Sequence, residues 1–474
     1  MTTIIPSNFP RRFSSLILLA AFPWVSTSIA NNKVLIVGGS GRIGSAVASH
    51  LLSRQPDLSI VLSGRSPERG ESAVREVLSE QRTADATAAV EFLQLDWRDD
   101  PALRNALHDV SAVIHTAGPY ADESPDVLRA AMDEKVPVYV DLSDPLEYLD
   151  AAKALQKEAA ERGSSSSSET LALCAAGAFP GLSNVLAMEC VSRLESEGGK
   201  IENIDFYYFT AGLGGSGDVN LYITNDGFGC PVPVYQRGEY APTMDAGSRE
   251  RATGKDRVQF YLAENDPSFK MVGERAVWSW PFPEGALIPR ALEGRRKGKE
   301  EGGGGRGGIS GSSSVGMGTA PAIWNQVMGI MVDVVPRSWW RSEAFSLGLA
   351  KFSKPLVTVT DRFVGETHAL RIDVTAEGGG QGGSPRRVSA VQAHESFRRV
   401  VGQSCAEFTL GLLESKRILE TSGGDDGGAV VLPVDSGVFT PEELFSSAEA
   451  RRPMLDRLLA VPGTLNAGFE VERV

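Results

Sequence analysis

The residues whose types and spacing most clearly predict chemistry lie in the run Lys33–Gly44, K-V-L-I-V-G-G-S-G-R-I-G. Val34 to Val37 are apolar and mostly β-branched, and the run has the length of a buried parallel strand. Gly39, Gly41 and Gly44 then satisfy the spacing G-x-G-x-x-G, and helix-forming residues follow. Such glycines let backbone amides approach a pyrophosphate, which the N-terminus of the helix stabilises. The sequence therefore predicts a bound dinucleotide.

The end of the second apolar strand predicts which dinucleotide is bound. An NAD site usually places an acidic residue there for the ribose 2′-hydroxyl, whereas this chain has Ser63, Gly64, Arg65 and Ser66. A guanidinium and two hydroxyls suit a 2′-phosphate, so the sequence favours NADP(H) over NAD(H). The alternative is a solvated arginine at the start of the next helix. The predicted cofactor-binding residues are Gly38, Gly39, Ser40, Gly41, Arg42, Ile43, Gly44, Ser63, Arg65, Asp96, Ala117 and Gly118.

Polar residues at the ends of later strands are the candidates for the reaction itself. His115 and Tyr120 follow the fourth strand and are candidate proton donors, although His115 could equally be a packed strand-end residue. Asp141 and Asp144 follow the fifth strand and could orient a substrate or cap the next helix. Asp96, after the third strand, could accept a hydrogen bond from adenine or cap the helix that follows.

The elements that position these residues alternate between strands and helices. Six β-rich runs, the first near residue 33 and the last at Leu171–Ala175, are separated by segments of helical spacing. This alternation predicts an α/β protein with a doubly wound parallel sheet, the Rossmann architecture. Ligands of such sheets bind at the carboxyl ends of the strands, where all of these candidates fall.

Four segments, taken in order, resemble the saccharopine dehydrogenase-like family of the saccharopine reductase type. They are G-G-S-G-R-I-G, T-A-G-P-Y, Y-V-D-L-S-D and G-A-F-P-G-L-S-N. The resemblance implies a Rossmann domain that binds NADP(H), a second mixed-sheet α/β domain that covers the nicotinamide, and a chain end that returns to the first domain. Expected boundaries are 1–32 for a targeting segment, 33–195, 196–430 and 431–474.

The resemblance implies an NADP(H)-dependent oxidoreductase that transfers hydride to or from an imine or carbonyl carbon of a small-molecule substrate. Only Lys200 and Arg237 lie in 200–240 to bind a dicarboxylate, so a small or apolar substrate could replace one. Short-chain dehydrogenases need Tyr-x-x-x-Lys, which is missing here, since Tyr148 has alanine at the required place. The other alternative is a non-catalytic nucleotide-binding or membrane-associated scaffold.

Two segments of the second domain invite interpretation. The low-complexity run Gly294–Gly318 predicts a disordered insertion, because it offers little apolar surface to bury. Ala322–Val335 is strongly apolar but too short to span a bilayer. A buried helix or a subunit interface, such as that of a homodimer, is the default expectation, and contact with a membrane surface is the minority one.

Composition excludes several other classes. The net charge of −13 argues against broad nucleic-acid binding, and no apolar run reaches the length of a transmembrane helix. Four scattered cysteines and five scattered histidines predict no metal centre and no disulfide framework.

Residues 1–32 resemble a targeting segment. Arg11 and Arg12 precede a short apolar run, and Ser28-Ile29-Ala30 has the form of a signal-peptidase site. The acid-free leader also suits a plastid transit peptide, and A-A-F-P resembles the presequences of some algae. Plastid import is the expectation, with the secretory pathway and the endoplasmic reticulum as the alternative.

Overall fold

The structure is a computed structural model that describes residues 32–81, 89–161, 169–212, 218–236, 239–245, 257–300, 309–378, 384–419 and 430–473. The predicted targeting segment therefore lies outside the described residues, apart from Asn32, and plastid import stays a prediction. Arg237 and residues 301–308 of the predicted insertion lie outside them as well.

Seventeen strands can be numbered along the described chain. They are β1 Lys33–Val37, β2 Ser59–Gly64, β3 Ala89–Gln94, β4 Ala112–His115, β5 Val138–Asp141, β6 Leu171–Leu173, β7 Lys200–Ala211, β8 Pro231–Gln236, β9 Glu239–Asp245, β10 Val258–Gln259, β11 Glu274–Arg275, β12 Trp278–Ser279, β13 Ser312–Ala320, β14 His368–Glu377, β15 Arg386–His394, β16 Gly437–Phe439 and β17 Thr464–Arg473.

Fifteen helices accompany them. They are α1 Arg42–Arg54, α2 Pro67–Glu80, α3 Asp100–Leu107, α4 Asp126–Asp133, α5 Leu146–Glu161, α6 Leu182–Ser196, α7 Asp218–Gly227, α8 Pro267–Met271, α9 Glu284–Glu300, α10 Ala322–Val334, α11 Arg337–Trp340, α12 Glu343–Val364, α13 Phe397–Ser415, α14 Pro441–Leu444 and α15 Ala448–Leu459.

The first sheet is parallel throughout, with the strand order β16-β6-β5-β4-β1-β2-β3. Both faces of β1 are buried: Val34 and Ile36 join the core on one side, and Leu35 and Val37 join the core on the other. This double burial explains why the strand is apolar without interruption. The predicted doubly wound sheet is confirmed, and helix α4 is an addition that the sequence patterns did not predict.

The carboxyl-terminal segment returns to this sheet, as expected from the family resemblance. Strand β16 pairs in parallel with β6 and becomes the seventh strand. The final strand departs from that expectation, because β17 pairs antiparallel with β15 of the second sheet. The last residues of the chain therefore close the second domain, after α14 and α15 have packed beside α6 of the first.

The second sheet is mixed, with the path β17-β15-β14-β7-β13-β8-β9 and with β12 paired to β13. Strand β13 lies beside β7 in parallel, and its residues 313–316 are buried. The predicted disordered insertion Gly294–Gly318 is therefore wrong at both described ends: its start belongs to helix α9 and its end forms β13. A Cβ on Gly318 would lie 2.2 Å from the carbonyl oxygen of Ala276. Small residues at this position therefore reflect close packing.

Helix α10 differs from its default expectation. The apolar run Ala322–Val335 suggests a buried helix, yet within α10 only Asn325 is buried. Ile323, Ile330 and Val334 are exposed instead. Among the described residues no helix combines the length and apolar character needed to cross a membrane.

Aromatic rings join the two domains. Phe179, from the segment G-A-F-P-G-L-S-N, stacks on Tyr208 of β7 and on His368 of β14, with centroid distances of 4.5 and 4.9 Å. Phe282 packs edge-on against Phe179 and Tyr208. Stacked and edge-on aromatic pairs stabilise a contact by more than their buried area alone predicts. These rings therefore stabilise the contact between the second domain and the loop after β6.

Candidate cofactor site and active site

The turn after β1 is tightly packed backbone. Gly38 has a φ of +80°, and a Cβ there would lie 2.8 Å from the Cβ of Ala117 in the turn after β4. A Cβ on Gly44 would meet the Cα of Gly39 at 2.6 Å and the carbonyl of Gly38 at 2.7 Å. Glycine is thus required at these positions by the turn, the neighbouring strand end and the helix.

The N-terminus of α1 is open to a ligand. Gly41 is the N-cap residue and supplies no side-chain hydrogen bond to the first turn of the helix, and no acidic residue lies in that turn. Gly41 and Arg42 are exposed, and Ser40 and Ile43 are half-buried beside them. Uncapped amides at the positive end of a helix dipole form an anion site, so this turn fits a pyrophosphate.

The end of β2 divides the predicted 2′-phosphate contacts into two groups. Arg65 is exposed, and its side chain has no ion-pair partner within the described part of the chain. The Ser63 hydroxyl is buried and donates to the carbonyl of Ile36 at 3.2 Å, which contradicts its predicted contact with the cofactor. Ser66 caps α2 by accepting from the backbone N–H of Arg69.

Asp96 remains available to contact the cofactor, because its alternative role as the cap of α3 belongs to another residue. The N-cap of α3 is Asp99, whose carboxylate accepts from the backbone N–H of Ala102 at 3.2 Å. Asp96 is exposed and receives only a local bond, from the N–H of Arg98. The capping alternative for Asp96 is therefore wrong, and its predicted contact with adenine stays a prediction.

The turn after β4 contains half-buried Ala117 and Gly118 beside the glycine turn. His115, at the end of the strand, is 1% exposed and lies between the rings of Trp97 and Tyr120. Burial lowers the pKa of His115 to about 3, so the imidazole is neutral at pH 7. This geometry matches the packed alternative and contradicts a role in proton donation.

Tyr120 also has a structural role. Its hydroxyl donates to the carbonyl of His115 at 2.6 Å and accepts from the backbone N–H of Leu142. Burial raises the pKa of Tyr120 well above its ordinary value. A phenol that is 5% exposed and committed to two backbone groups has no proton to offer a substrate, so this prediction is contradicted.

Asp141 holds strand ends together. The buried carboxylate accepts from the Ser143 hydroxyl at 2.6 Å, from the Ser143 and Ala175 amides, and from the Tyr139 hydroxyl at 2.9 Å. These bonds tie the turn after β5 to the turn after β6. Burial raises the pKa of Asp141, but every oxygen is occupied, so it does not orient a substrate as predicted.

Asp144, the last of the predicted candidates, is half-buried in the turn after β5. Burial of its carboxyl group, followed by repulsion from Asp141, raises its pKa to about 7. Glu284, the first residue of α9 in the second domain, lies near enough for Asp144 to raise the Glu284 pKa by charge repulsion. Two acidic groups from different domains therefore influence each other beyond the ends of β5 and β6.

Glu284 is fully buried, and two hydroxyls hold one of its oxygens. Oε1 accepts from Tyr208 of β7 at 2.6 Å and from Ser183 of α6 at 2.9 Å. Oε2 is buried without a hydrogen-bond partner within the described residues. Burial is the main reason that the pKa of Glu284 is raised to about 7. An unpartnered carboxyl oxygen with such a pKa can exchange a proton near neutral pH.

The network continues from Glu284 into the carboxyl-terminal segment. Ser183 bonds Asn184, whose amide donates to Glu442 of α14 at 2.7 Å. Burial, followed by repulsion from Glu443, raises the pKa of Glu442 to about 7. The sequence patterns missed Glu284, because a single glutamate after a proline carries no spacing signal. The sequence pointed to this place only through the family segment G-A-F-P-G-L-S-N, which contains Ser183 and Asn184.

Comparison with known families agrees with this geometry. Residues 34–167 match the family model described as the saccharopine dehydrogenase NADP-binding domain. The chain carries a saccharopine dehydrogenase NADP-binding domain. The predicted cofactor class and family resemblance are confirmed for this domain. The glycine turn, the uncapped α1 and the exposed Arg65 are the features that fit the cofactor.

The whole chain has the fold of a solved saccharopine dehydrogenase. The apo L-Glu-forming enzyme from Saccharomyces cerevisiae is 13% identical, with a TM-score of 0.56, and the match covers 93% of this chain and 99% of that one. At this identity the likeness shows the fold alone, and it includes the second domain.

Curated relatives match over shorter stretches. An NAD-dependent glucose-6-phosphate dehydrogenase from Haloferax volcanii is 33% identical over 113 residues, which are 22% of this chain and 35% of that protein. Mycoketide-CoA synthase from Mycobacterium tuberculosis is 36% identical over 121 residues, 23% of this chain and 3% of that protein. The chain thus spans about a third or less of the length of these relatives.

Proposed function

We propose that the protein is an NADP(H)-dependent oxidoreductase that transfers hydride to or from an imine or carbonyl carbon of a small molecule. The observation that carries the proposal is the open, glycine-lined N-terminus of α1 within a saccharopine dehydrogenase NADP-binding domain. When bound, NADP(H) supplies the redox chemistry, and the chain supplies binding, orientation and proton transfer.

Each half of the cofactor has a distinct set of residues to hold it. The amides of residues 42–44 would bind the pyrophosphate, Arg65 would bind the 2′-phosphate, and Asp96 would accept from adenine. The strand order reverses between β1 and β4, and a dinucleotide lies across such a switch point. The adenosine half then faces β2 and β3, so the reactive half faces β4, β5 and β6.

Asp144 and Glu284 lie on that reactive side and are our candidates for proton transfer. Reduction of an imine or carbonyl leaves a nitrogen or oxygen that needs a proton, and oxidation releases one. A carboxyl with a pKa of about 7 serves both directions. Tyr208 and Ser183 fix the orientation of Glu284 by their bonds to Oε1, which leaves Oε2 for the exchanged proton.

The second domain favours a substrate without two carboxylates. Arg371 is buried there, but it is bound to Asp373 at 2.7 Å and to the Ser389 hydroxyl at 2.9 Å. Lys200 is exposed and pairs with Glu377. Tyr208 donates to Glu284 instead, and the rings of Phe179 and Phe282 pack on Tyr208, so we propose an apolar or singly charged substrate.

The test uses NADPH that carries deuterium at C4 of the nicotinamide. The full chain is incubated with this cofactor and a panel of aldehydes, ketones and preformed imines that differ in apolar size and carboxylate number. Mass spectrometry then detects deuterium in any product. We expect transfer to an apolar or monocarboxylate member, and loss of transfer in the Glu284→Gln variant with NADPH binding retained.

The outcomes separate the proposal from the scaffold alternative. NADPH binding, detected as a rise in melting temperature, without deuterium transfer to any panel member would favour a nucleotide-binding scaffold. Transfer only to dicarboxylate substrates would refute the substrate class while leaving the oxidoreductase in place. A control variant, the exposed Glu71→Gln on α2, should transfer deuterium like the wild type.

A further inference from the structure

Helices α10 and α12 expose an unusual amount of apolar surface. Phe352 and Phe363 of α12 are 84% and 85% exposed, and Val334 of α10 is 73% exposed. We call this the apolar face, and its members are Ile323, Val327, Ile330, Val334, Trp339, Phe352, Leu356, Val359 and Phe363. Large exposed apolar side chains gathered on two helices in this number mark an interaction site.

The two helices present the face in the same way. On α10 the exposed residues begin at Ile323 and recur after four, seven and eleven positions, and on α12 the same steps begin at Phe352. These steps place each row on one side of its helix. The opposite sides pack inward: Trp324 of α10 joins Ala350 and Val357 of α12 in one cluster with Leu221 of α7. The two rows therefore lie on helices that share one cluster of side chains behind them.

The charge around the face is opposite to that of the whole chain. Residues 322–364 contain five basic residues, Arg337, Arg341, Lys351, Lys354 and Arg362, and three acidic ones, Asp333, Glu343 and Asp361, whereas the chain has a net charge of −13. At about 100° per residue, Lys351 and Arg362 fall beside the Phe352 row. Long basic side chains in this position can extend to lipid headgroups while their stems cover apolar surface.

We infer that the apolar face rests on an anionic phospholipid bilayer, with α10 and α12 lying along its surface. The phenylalanine, isoleucine and valine side chains enter the region between headgroups and acyl chains. Trp339, exposed at the short helix between the two rows, suits the headgroup level. Lys351 and Arg362, exposed beside the Phe352 row, attract the anionic headgroups.

A second copy of the chain fits the face less well. A symmetric dimer through this face would bring the same patch of each copy together, and with it the two sets of basic residues. Lysine is also depleted at the cores of protein interfaces. The face is therefore better suited to a negatively charged partner, and the dimer becomes an outcome of the test.

The test is flotation of the full chain with phosphatidylcholine vesicles, with and without phosphatidylglycerol. We expect the wild type to float with the anionic vesicles and about tenfold less with the neutral ones. Phe352→Asp combined with Phe363→Asp should reduce binding at least about tenfold. The matched control is Leu78→Asp with Val431→Asp, which alters two exposed apolar residues elsewhere and should float like the wild type.

Amide hydrogen exchange then locates the contact, so that binding through the amino-terminal leader is recognised. Vesicles should slow exchange in peptides from α10 and α12. Binding without such protection, or binding that the double variant retains, would overturn the inference. So would a dimer in light scattering that the same double variant dissociates, because the face would then be covered by a second copy. NADPH-induced stabilisation of the double variant confirms that it is folded.

Discussion

The glycine turn after β1 and the glycine-rich strand β13 both depend on glycine, but for different reasons. Only the glycine turn could be identified from the sequence. At β1 an apolar run precedes the glycines and a helix follows them, so the neighbours explain the spacing. In β13 the glycines lie among serines. Gly318 is required there because the backbone of Ala276, which is distant in sequence, packs against it. A pattern along the sequence therefore identifies a glycine that its sequence neighbours require, but not one that a distant segment requires.

The two domains differ in the same respect. Cofactor contacts of the first domain follow strands in a fixed local order, and the family match confirms the NADP-binding domain. The acidic pair of Asp144 and Glu284 forms between domains, from residues 140 positions apart. Each of the following experiments tests whether this contrast between a local and a tertiary origin holds.

The largest effect is expected from Gly318→Val in β13. Its side chain would begin 2.2 Å from the carbonyl oxygen of Ala276, which belongs to the backbone and cannot move aside cheaply. Overpacking of this kind costs about 3 kcal/mol of the free energy of unfolding. Denaturant unfolding measures the loss. A stability equal to that of the wild type would restore the sequence interpretation of a disordered segment.

The next effect concerns the local, sequence-predicted half. Arg65→Glu replaces an attractive charge beside the 2′-phosphate with a repulsive one, which should weaken NADPH binding by about 2 kcal/mol, or roughly thirtyfold. NADH binding should be unaffected because NADH lacks this phosphate. Titration calorimetry with both cofactors measures the difference. Arg75→Glu, further along α2 and also exposed, is the control, and an unchanged NADPH affinity in Arg65→Glu would remove Arg65 from the site.

A pH-dependent effect tests the tertiary half. Burial raises the pKa of Glu284 to about 7 from the ordinary 4.5, so the folded chain binds an extra proton between these values. The contribution of Glu284 to the free energy of unfolding is therefore fully present below pH 4.5 and falls as the pH rises towards 7. Glu284→Gln removes this contribution, so the variant should gain on the order of 1 to 2 kcal/mol relative to the wild type between pH 6 and pH 8.

Unfolding free energies of wild type and variant at the two pH values measure that gain. The difference contains the titration of Glu284 and its coupling to Asp144, whereas Glu442 titrates in the same range in both proteins. A difference that does not change with pH would mean that Glu284 is ionised throughout, and it would no longer be our candidate for proton transfer.

The smallest effect is expected from Gly294→Ala, at the other end of the predicted insertion. This glycine lies in α9, and a Cβ on it would meet no atom within 4 Å. Alanine in a helix is favoured over glycine by about 0.5 to 1 kcal/mol, so the variant should be stabilised. Thermal unfolding of this variant beside Gly318→Val gives opposite signs if both positions are ordered, whereas two neutral results would contradict both assignments.

The sequence by itself determined the Rossmann sheet, its glycine turn and the preference for NADP. These depend on hydrophobic period, glycine spacing and the residue types at strand ends, which act over a few residues. The return of the carboxyl-terminal segment to the first domain was implied by the family resemblance, and the pairing of β16 with β6 confirms it.

Only the tertiary structure decided which polar residues are free to react. His115, Tyr120 and Asp141 have the right types and positions, but His115 is buried between two rings, and hydrogen bonds commit Tyr120 and Asp141 to the fold. Glu284 has no distinguishing neighbours in sequence and gains its raised pKa from burial in the folded chain, with repulsion from Asp144 as a smaller cause. Desolvation depends on everything that surrounds a group, so no pattern along the chain can reveal it.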